Sequence, residues 1–120
     1  MINERPHKNL ELWKESVNLV ELIYKLTNSF PKEETFGLKS QLRRASVSVP
    51  SNISEGLTRT TKPDKLHFLN IAFGSLSEID TQIEISLRLQ YIDSEKYESV
   101  ENKIVQVNKL LSGLIKKLKQ

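Results

Sequence analysis

Leu38-Lys39-Ser40-Gln41-Leu42-Arg43-Arg44-Ala45-Ser46-Val47-Ser48-Val49-Pro50-Ser51-Asn52-Ile53-Ser54-Glu55-Gly56-Leu57 decides how the chain folds. Leu38, Leu42, Ala45, Val49, Ile53 and Leu57 recur at steps of three and four, the period of one helix face. Pro50 falls inside the series. It removes a backbone donor and presses on the carbonyl four residues earlier, that of Ser46. A break would reset the apolar phase, yet the phase runs through the proline intact. The pattern predicts one helix over about Glu34–Arg59, kinked at Pro50, with Ser46 and Ser48 able to hydrogen-bond locally there.

Three more helices are expected around it. Upstream, Leu10–Asn28 follows Asn9 as N-cap and ends before Phe30-Pro31. Its ten apolar residues, from Leu10 through Trp13 and Tyr24 to Leu26, span an arc of roughly 220°, wider than one core-facing stripe needs. Downstream, Thr61 as cap, Pro63 in the first turn and Asp64 at the capping-box position announce a third helix reaching about Tyr91. Its main stripe is Leu69, Ala72, Leu76, Ile79, Ile83 and Leu87. A thinner second stripe holds Ile71, Glu78, Ile85 and Leu89. After Asp93-Ser94, Tyr97, Val100, Ile104, Val107, Leu111, Leu114 and Leu118 alternate by three and four, an a/d seam reaching about Leu118. Short connections make neighbours antiparallel. The expected fold is all-α: an up-down antiparallel four-helix bundle, formed as a single domain over residues 1–120.

Composition sets outer limits. With 120 residues, 38% hydrophobic and 28% charged, the chain suits one globular core. No apolar run approaches the ~18 residues of a membrane span, and Met1–Pro6 leads into polar His7, Lys8 and Asn9 rather than a signal-peptide core. There are no cysteines. No membrane partner and a cytoplasmic location are therefore expected.

Charge is segregated along the chain. Residues 39–65 carry six basic and two acidic side chains, residues 66–102 two and seven, and residues 103–120 five and none. Antiparallel helices with complementary flanks would give this pattern. So would a basic surface that attracts nucleic acid.

Catalytic chemistry finds little support. Asp64-x-x-His67 is the nearest approach to a metal motif, and Asp64 is better explained as a cap. The glycines at 37, 56, 74 and 113 are scattered, so no phosphate cradle forms. Glu78, Asp80 and Glu84 suit a solvated acidic face better than an acid/base device. No enzyme activity, no metal and no cofactor are expected. Gln41, Arg44, Ser48, Asn52, Glu55 and Arg59 share one band beside the core stripe. That band suits either a polar boundary network or a recognition face.

The stretch Gln41–Gly56 closely resembles the central motif of the 23S ribosomal RNA intervening-sequence protein family. Leu10-Glu11-Leu12-Trp13, Phe30-Pro31-Lys32-Glu33-Glu34, Phe68–Glu78 and Tyr91-Ile92 extend the resemblance over nearly the whole chain. One departure is Phe36, where tyrosine is expected before Gly37-Leu38. The resemblance implies up-down bundles that assemble into rings, with pentamers the expected size, and genes often lying within insertions in ribosomal RNA genes. It carries over no catalytic residue. In architecture the family is also similar to the basic, pentameric, nucleic-acid-binding accessory proteins of diversity-generating retroelements, a likeness at the level of fold alone.

The resulting expectation is a non-enzymatic homo-oligomer that binds RNA or DNA, or scaffolds an RNA-associated complex. The alternative is a protein-interaction scaffold that makes no contact with nucleic acid. Arg43, Arg44, Arg59, Lys62 and Lys65, with Lys116, Lys117 and Lys119, are the candidate phosphate contacts. Asn52, Glu55, Gly74, Glu78, Ile71, Ile85 and Leu89 are candidate structural or interface residues. A tight turn near residue 60 pairs positions whose numbers sum to about 120. Gly74 is then expected at a close approach, Ser75 opposite Ala45, and Glu78 paired with Arg43 or Arg44 within the chain or across a subunit boundary. Most aromatics lie on or beside apolar stripes, leaving few platforms for unpaired bases.

Overall fold

Helix starts follow the capping chemistry of the sequence, with two substitutions. The computed structural model describes residues 6–120. Of the start Met1–Pro6 that leads into His7, Lys8 and Asn9, all but Pro6 lies outside them. Helix α3 (Lys62–Arg88) begins where the Thr61 hydroxyl accepts the Asp64 N–H at 3.3 Å. Helix α4 (Ser94–Lys119) begins where the Asp93 carboxylate accepts the Lys96 N–H at 2.8 Å. Helix α1 (Glu11–Thr27) is preceded by Leu10, not Asn9, at its N-cap, with no side-chain cap bond. Helix α2 (Leu38–Thr58) starts later than Glu34 because Lys32–Glu34 forms a separate 3-10 turn. Its N-cap is Gly37, which has no side chain to offer. Glu34 reaches back instead: its Oε1 accepts the Leu38 N–H at 2.9 Å and its Oε2 the Tyr91 hydroxyl at 2.8 Å. A Cβ on Gly37 would lie 2.6 Å from that Oε1, so the glycine makes room for the substitute cap.

Pro50 sits inside α2 without interrupting it. The Asn52 amide donates to the Ser48 carbonyl at 2.8 Å and to its hydroxyl at 2.9 Å, tying together the turn that holds the proline. Helix α3 stops at Arg88, short of Tyr91, through a two-bond C-cap. Tyr91 N–H reaches the Ser86 carbonyl and Gln90 N–H that of Leu87, at 2.9 and 3.0 Å. Gln90 takes the left-handed conformation, φ 64°, that this Schellman geometry demands.

The helices pack in ring order, α1 on α2, α2 on α3, α3 on α4 and α4 on α1, and the diagonal pairs stay apart. At 1.5 Å per residue the 27 residues of α3 run about 40 Å, close to the long dimension of 43 Å. The core is drawn from the expected stripes: Leu19 and Ile23, Leu42, Val49 and Ile53, Leu69, Ile79 and Ile83, Val107 and Leu111 are all sealed from solvent. Buried hydroxyls turn back on their own helices. Thr27 bonds the Ile23 carbonyl and Ser86 that of Gln82, both at 2.8 Å. The wide arc of α1 resolves into a buried set, a half-buried set with Trp13, Val17 and Leu22, and exposed Leu10 and Tyr24.

The α2–α3 register differs from the expected one. Ser48 and Ser75 share a hydrogen bond at 2.8 Å and Gln82 donates to Gln41 at 3.4 Å, so facing numbers sum to 123, not 120. Side chains on a helix lean toward its own N-terminus. In an antiparallel pair both leans add to the sum, by about one residue each. Ser75 therefore meets Ser48 rather than Ala45.

The close approach of α2 and α3 is not at Gly74 either. Gly74 is exposed and a Cβ there would meet nothing within 4 Å, which corrects the expectation of tight packing. Gly56 fills that role. A Cβ on it would lie 3.1 Å from the Lys65 carbonyl oxygen and 3.3 Å from Leu69 and Phe68. Gly56 follows Ile53 by three in the core stripe of α2, and that phase was the available signal.

Candidate nucleic-acid interface

The eight basic candidates separate into two places. Arg43 is held by the end of α1. Its Nε donates to Thr27 Oγ1 at 2.9 Å, and its Nη2 to the Tyr24 carbonyl at 3.1 Å and Asn28 Oδ1 at 2.9 Å. The guanidinium also lies 4.4 Å from the Tyr24 ring centre. This is a cation satisfying terminal carbonyls at the negative end of a helix, a structural role. Arg44 is exposed and lines an open cavity of about 440 Å³ with Phe36, Ser40, Gln41, Ser48, Ser75 and Glu78.

The expected pairing of Glu78 with Arg43 or Arg44 does not form within the chain: among the described residues, Glu78 enters no ion pair. The stripe that holds it is open to solvent, with Ile71, Ile85 and Leu89 at 39%, 42% and 51% exposure, so no burial cost forces a partner on Glu78. The polar band on α2 is instead a boundary network. Ser48 bonds Ser75, Asn52 bonds Ser48, Gln41 accepts from Gln82, and Glu55 pairs with Arg59. Arg59 also stacks 4.6 Å from the Phe68 ring centre.

The other candidates gather at one end of the bundle, where α2 ends, α3 begins and α4 ends. That end is about 24 Å along α2 from Arg43. Lys65 Nζ donates to the Leu57 carbonyl at 3.3 Å, and Lys62 Nζ reaches the Gln120 carbonyl oxygen at 3.4 Å. The second bond joins residues 58 apart in sequence and sets the 39–65 block beside the 103–120 block. Lys116, Lys117 and Lys119 project from the last turn of α4, all exposed. Among the described residues, no carboxylate pairs with Lys62, Lys65, Lys116, Lys117 or Lys119.

From this end a groove runs between α3 and α4. Its first part, about 370 Å³, is lined by Asn70, Phe73, Ser112, Ile115, Lys116 and Lys119. Phe73 is 39% exposed. It lies one position, about 100°, past Ala72 on the core line, a displacement that was readable from the sequence. Farther along, the lining changes sign: Asp80, Glu84, Tyr97 and Glu101 surround a space of about 360 Å³ with Arg88. Tyr97 donates to Glu84 Oε1 at 3.0 Å, which pushes its hydroxyl pKa up to about 12. Hydrogen bonds from Arg88 and Tyr97 hold the Glu84 carboxyl below its usual range. Burial, then the neighbouring Asp80 carboxyl, raises that of Glu101. Among the described residues, no group of three or more His, Cys, Asp or Glu side chains is arranged to hold a metal ion. His67 packs edge-on against Phe68. No described helix is long and apolar enough to cross a membrane.

No curated protein matches the chain. A solved structure does: a protein of unknown function from the S23 ribosomal protein family of Bacteroides thetaiotaomicron, 30% identical, covering 88% of this chain and 98% of its own, with a TM-score of 0.79. The family model described as 23S rRNA-intervening sequence protein matches residues 8–113, taking in all of α1, α2 and α3 and most of α4. The chain belongs to the 23S rRNA-intervening sequence protein family.

Proposed function

We propose that this protein is a non-enzymatic homo-oligomer of the cytoplasm that binds nucleic acid, RNA foremost, through the basic end of its bundle. The observation that carries this reading is the contact between Lys62 and Gln120. It makes one cationic surface of two sequence blocks, and the lysines on it are not neutralised by described carboxylates. Lysines of this kind neutralise phosphates and release counterions, which gives affinity without base specificity. The family's connection with ribosomal RNA supports RNA as the polyanion. Arg59, Lys62, Lys65, Lys116, Lys117 and Lys119 are the proposed contacts. Arg43 is not among them, because its donors are used on α1.

A second reading, a protein scaffold without nucleic acid, is favoured by a different face. Phe36 stands 95% exposed beside Arg44 and Glu78, and Ile71, Ile85 and Leu89 expose apolar area along the stripe of α3 that holds Glu78. In the main proposal this face joins copies of the chain into a ring, a pentamer by family likeness, with Glu78 free to meet an arginine of a neighbouring copy. Light scattering at micromolar concentration is expected to show an oligomer, and a monomer would remove the ring. Anisotropy titration of labelled RNA is expected to show binding that weakens steeply with salt. No binding to RNA or DNA at low salt would leave the scaffold reading.

A further inference from the structure

We infer that the basic half of the α3–α4 groove is a stacking site for an unpaired base, so that the ligand class is single-stranded nucleic acid. This rests on the proposed function, which supplies the polyanion, and adds the part of it that is recognised.

Three observations converge on the groove. The first is chemical. Phe73 offers a partly exposed ring, while Lys116 and Lys119 on the facing helix supply cations, and no carboxylate lines this part of the space. An aromatic face beside lysines that track phosphates is the combination single strands use, because every base has a π-face. A duplex hides those faces within its own stack.

The second is hydrogen bonding. Asn70 and Ser112 are exposed polar side chains on opposite walls, and Ser112 donates to Asn108 at 3.3 Å. Both residues line the groove with Phe73 and can meet a base edge.

The third is the charge boundary of the groove. The change of lining to Asp80, Glu84 and Glu101 farther along repels phosphate and confines the strand to the basic half.

The test titrates the full-length protein with labelled RNA and DNA 12-mers, single-stranded and duplex, at fixed salt. Single strands are expected to bind more tightly than duplexes of the same length. Phe73→Ala is expected to weaken single-strand binding about ten-fold and leave duplex binding unchanged. Phe73→Trp should retain it. The salt slope should survive Phe73→Ala and fall in Lys116→Ala/Lys119→Ala. RNA and DNA strands compared at Ser112→Ala tell whether the ribose hydroxyl contributes. Equal loss for single strands and duplexes, or no loss, in Phe73→Ala would overturn the stacking site while the basic end kept its role. Absence of all binding at low salt would overturn the proposed function itself. A change of oligomeric state in Phe73→Ala by light scattering would instead make the groove a contact between copies, and would also overturn the inference.

Discussion

At the residue scale, backbone demands and side-chain chemistry are mismatched at a few positions, and each mismatch predicts an outcome. Gln90 holds φ 64° at the C-cap of α3, where glycine carries no steric penalty. Gln90→Gly should stabilise the fold by up to about 1 kcal/mol, the gain trimmed by the greater freedom of glycine in the unfolded chain. Urea denaturation with an unchanged m-value checks it. Gly56 and Gly74 should respond oppositely. Gly56→Ala drives a Cβ to 3.1 Å from the Lys65 carbonyl oxygen and should cost about 1–3 kcal/mol by overpacking. Gly74→Ala enters open space and should gain about 0.5–1 kcal/mol of helix stability. Thermal melts of the two variants decide the signs. The cap at Thr61 was legible in the sequence because a cap is a local event, settled within three residues. The cap of α2 was not, since Glu34 works from outside the helix across a glycine and is shared with Tyr91, 57 positions away.

At the scale of elements, phase was legible and register was not. The apolar stripe told that α2 passes through Pro50, because a helix of constant period leaves its mark in every turn. The pairing of α2 with α3 depends on how side chains lean, which the numbering does not display. An offset of three residues was enough to set Ser75 against Ser48 instead of Ala45. The α3–α4 contact carries a pH response. Glu101 has its carboxyl pKa raised, first by burial and then by Asp80, while Tyr97 acts the other way. In the window above the unfolded value, the folded state holds more proton than the unfolded one, so this group makes stability fall as pH rises. Glu84 is depressed by Arg88 and Tyr97. Its contribution is present above the unfolded value and is lost as pH falls through the folded value. Glu101→Gln should therefore stabilise the protein at neutral pH, with the gain shrinking as the medium is acidified toward the usual carboxylate range. Melting temperature against pH for the variant and the parent checks this; a gain that grows on acidification would reverse the assigned sign.

At the scale of the whole molecule, the antiparallel fold converts charge segregation along the sequence into segregation in space. Two basic blocks flank an acidic one in the sequence, and folding back at the α3–α4 turn brings the two together while the acidic block lies along the far part of the α3–α4 groove. The block pattern was readable from residue counts. The union of the blocks was not, because it depends on α4 ending where α3 begins. Arg43 and Arg44 belong to the first block by sequence yet stand away from this surface, the first bound to α1 and the second beside Glu78. The central claim is that the two blocks act as one phosphate-binding surface. The salt dependence of RNA affinity, measured for the parent, Lys62→Ala, Lys116→Ala/Lys119→Ala, the triple variant and Arg44→Ala, tests it most directly. The slope of log K against log salt should drop by about 0.7–0.9 for each lysine lost, from either block and additively, while Arg44→Ala leaves it unchanged. A slope insensitive to the lysines, or one that falls with Arg44→Ala alone, would contradict the account.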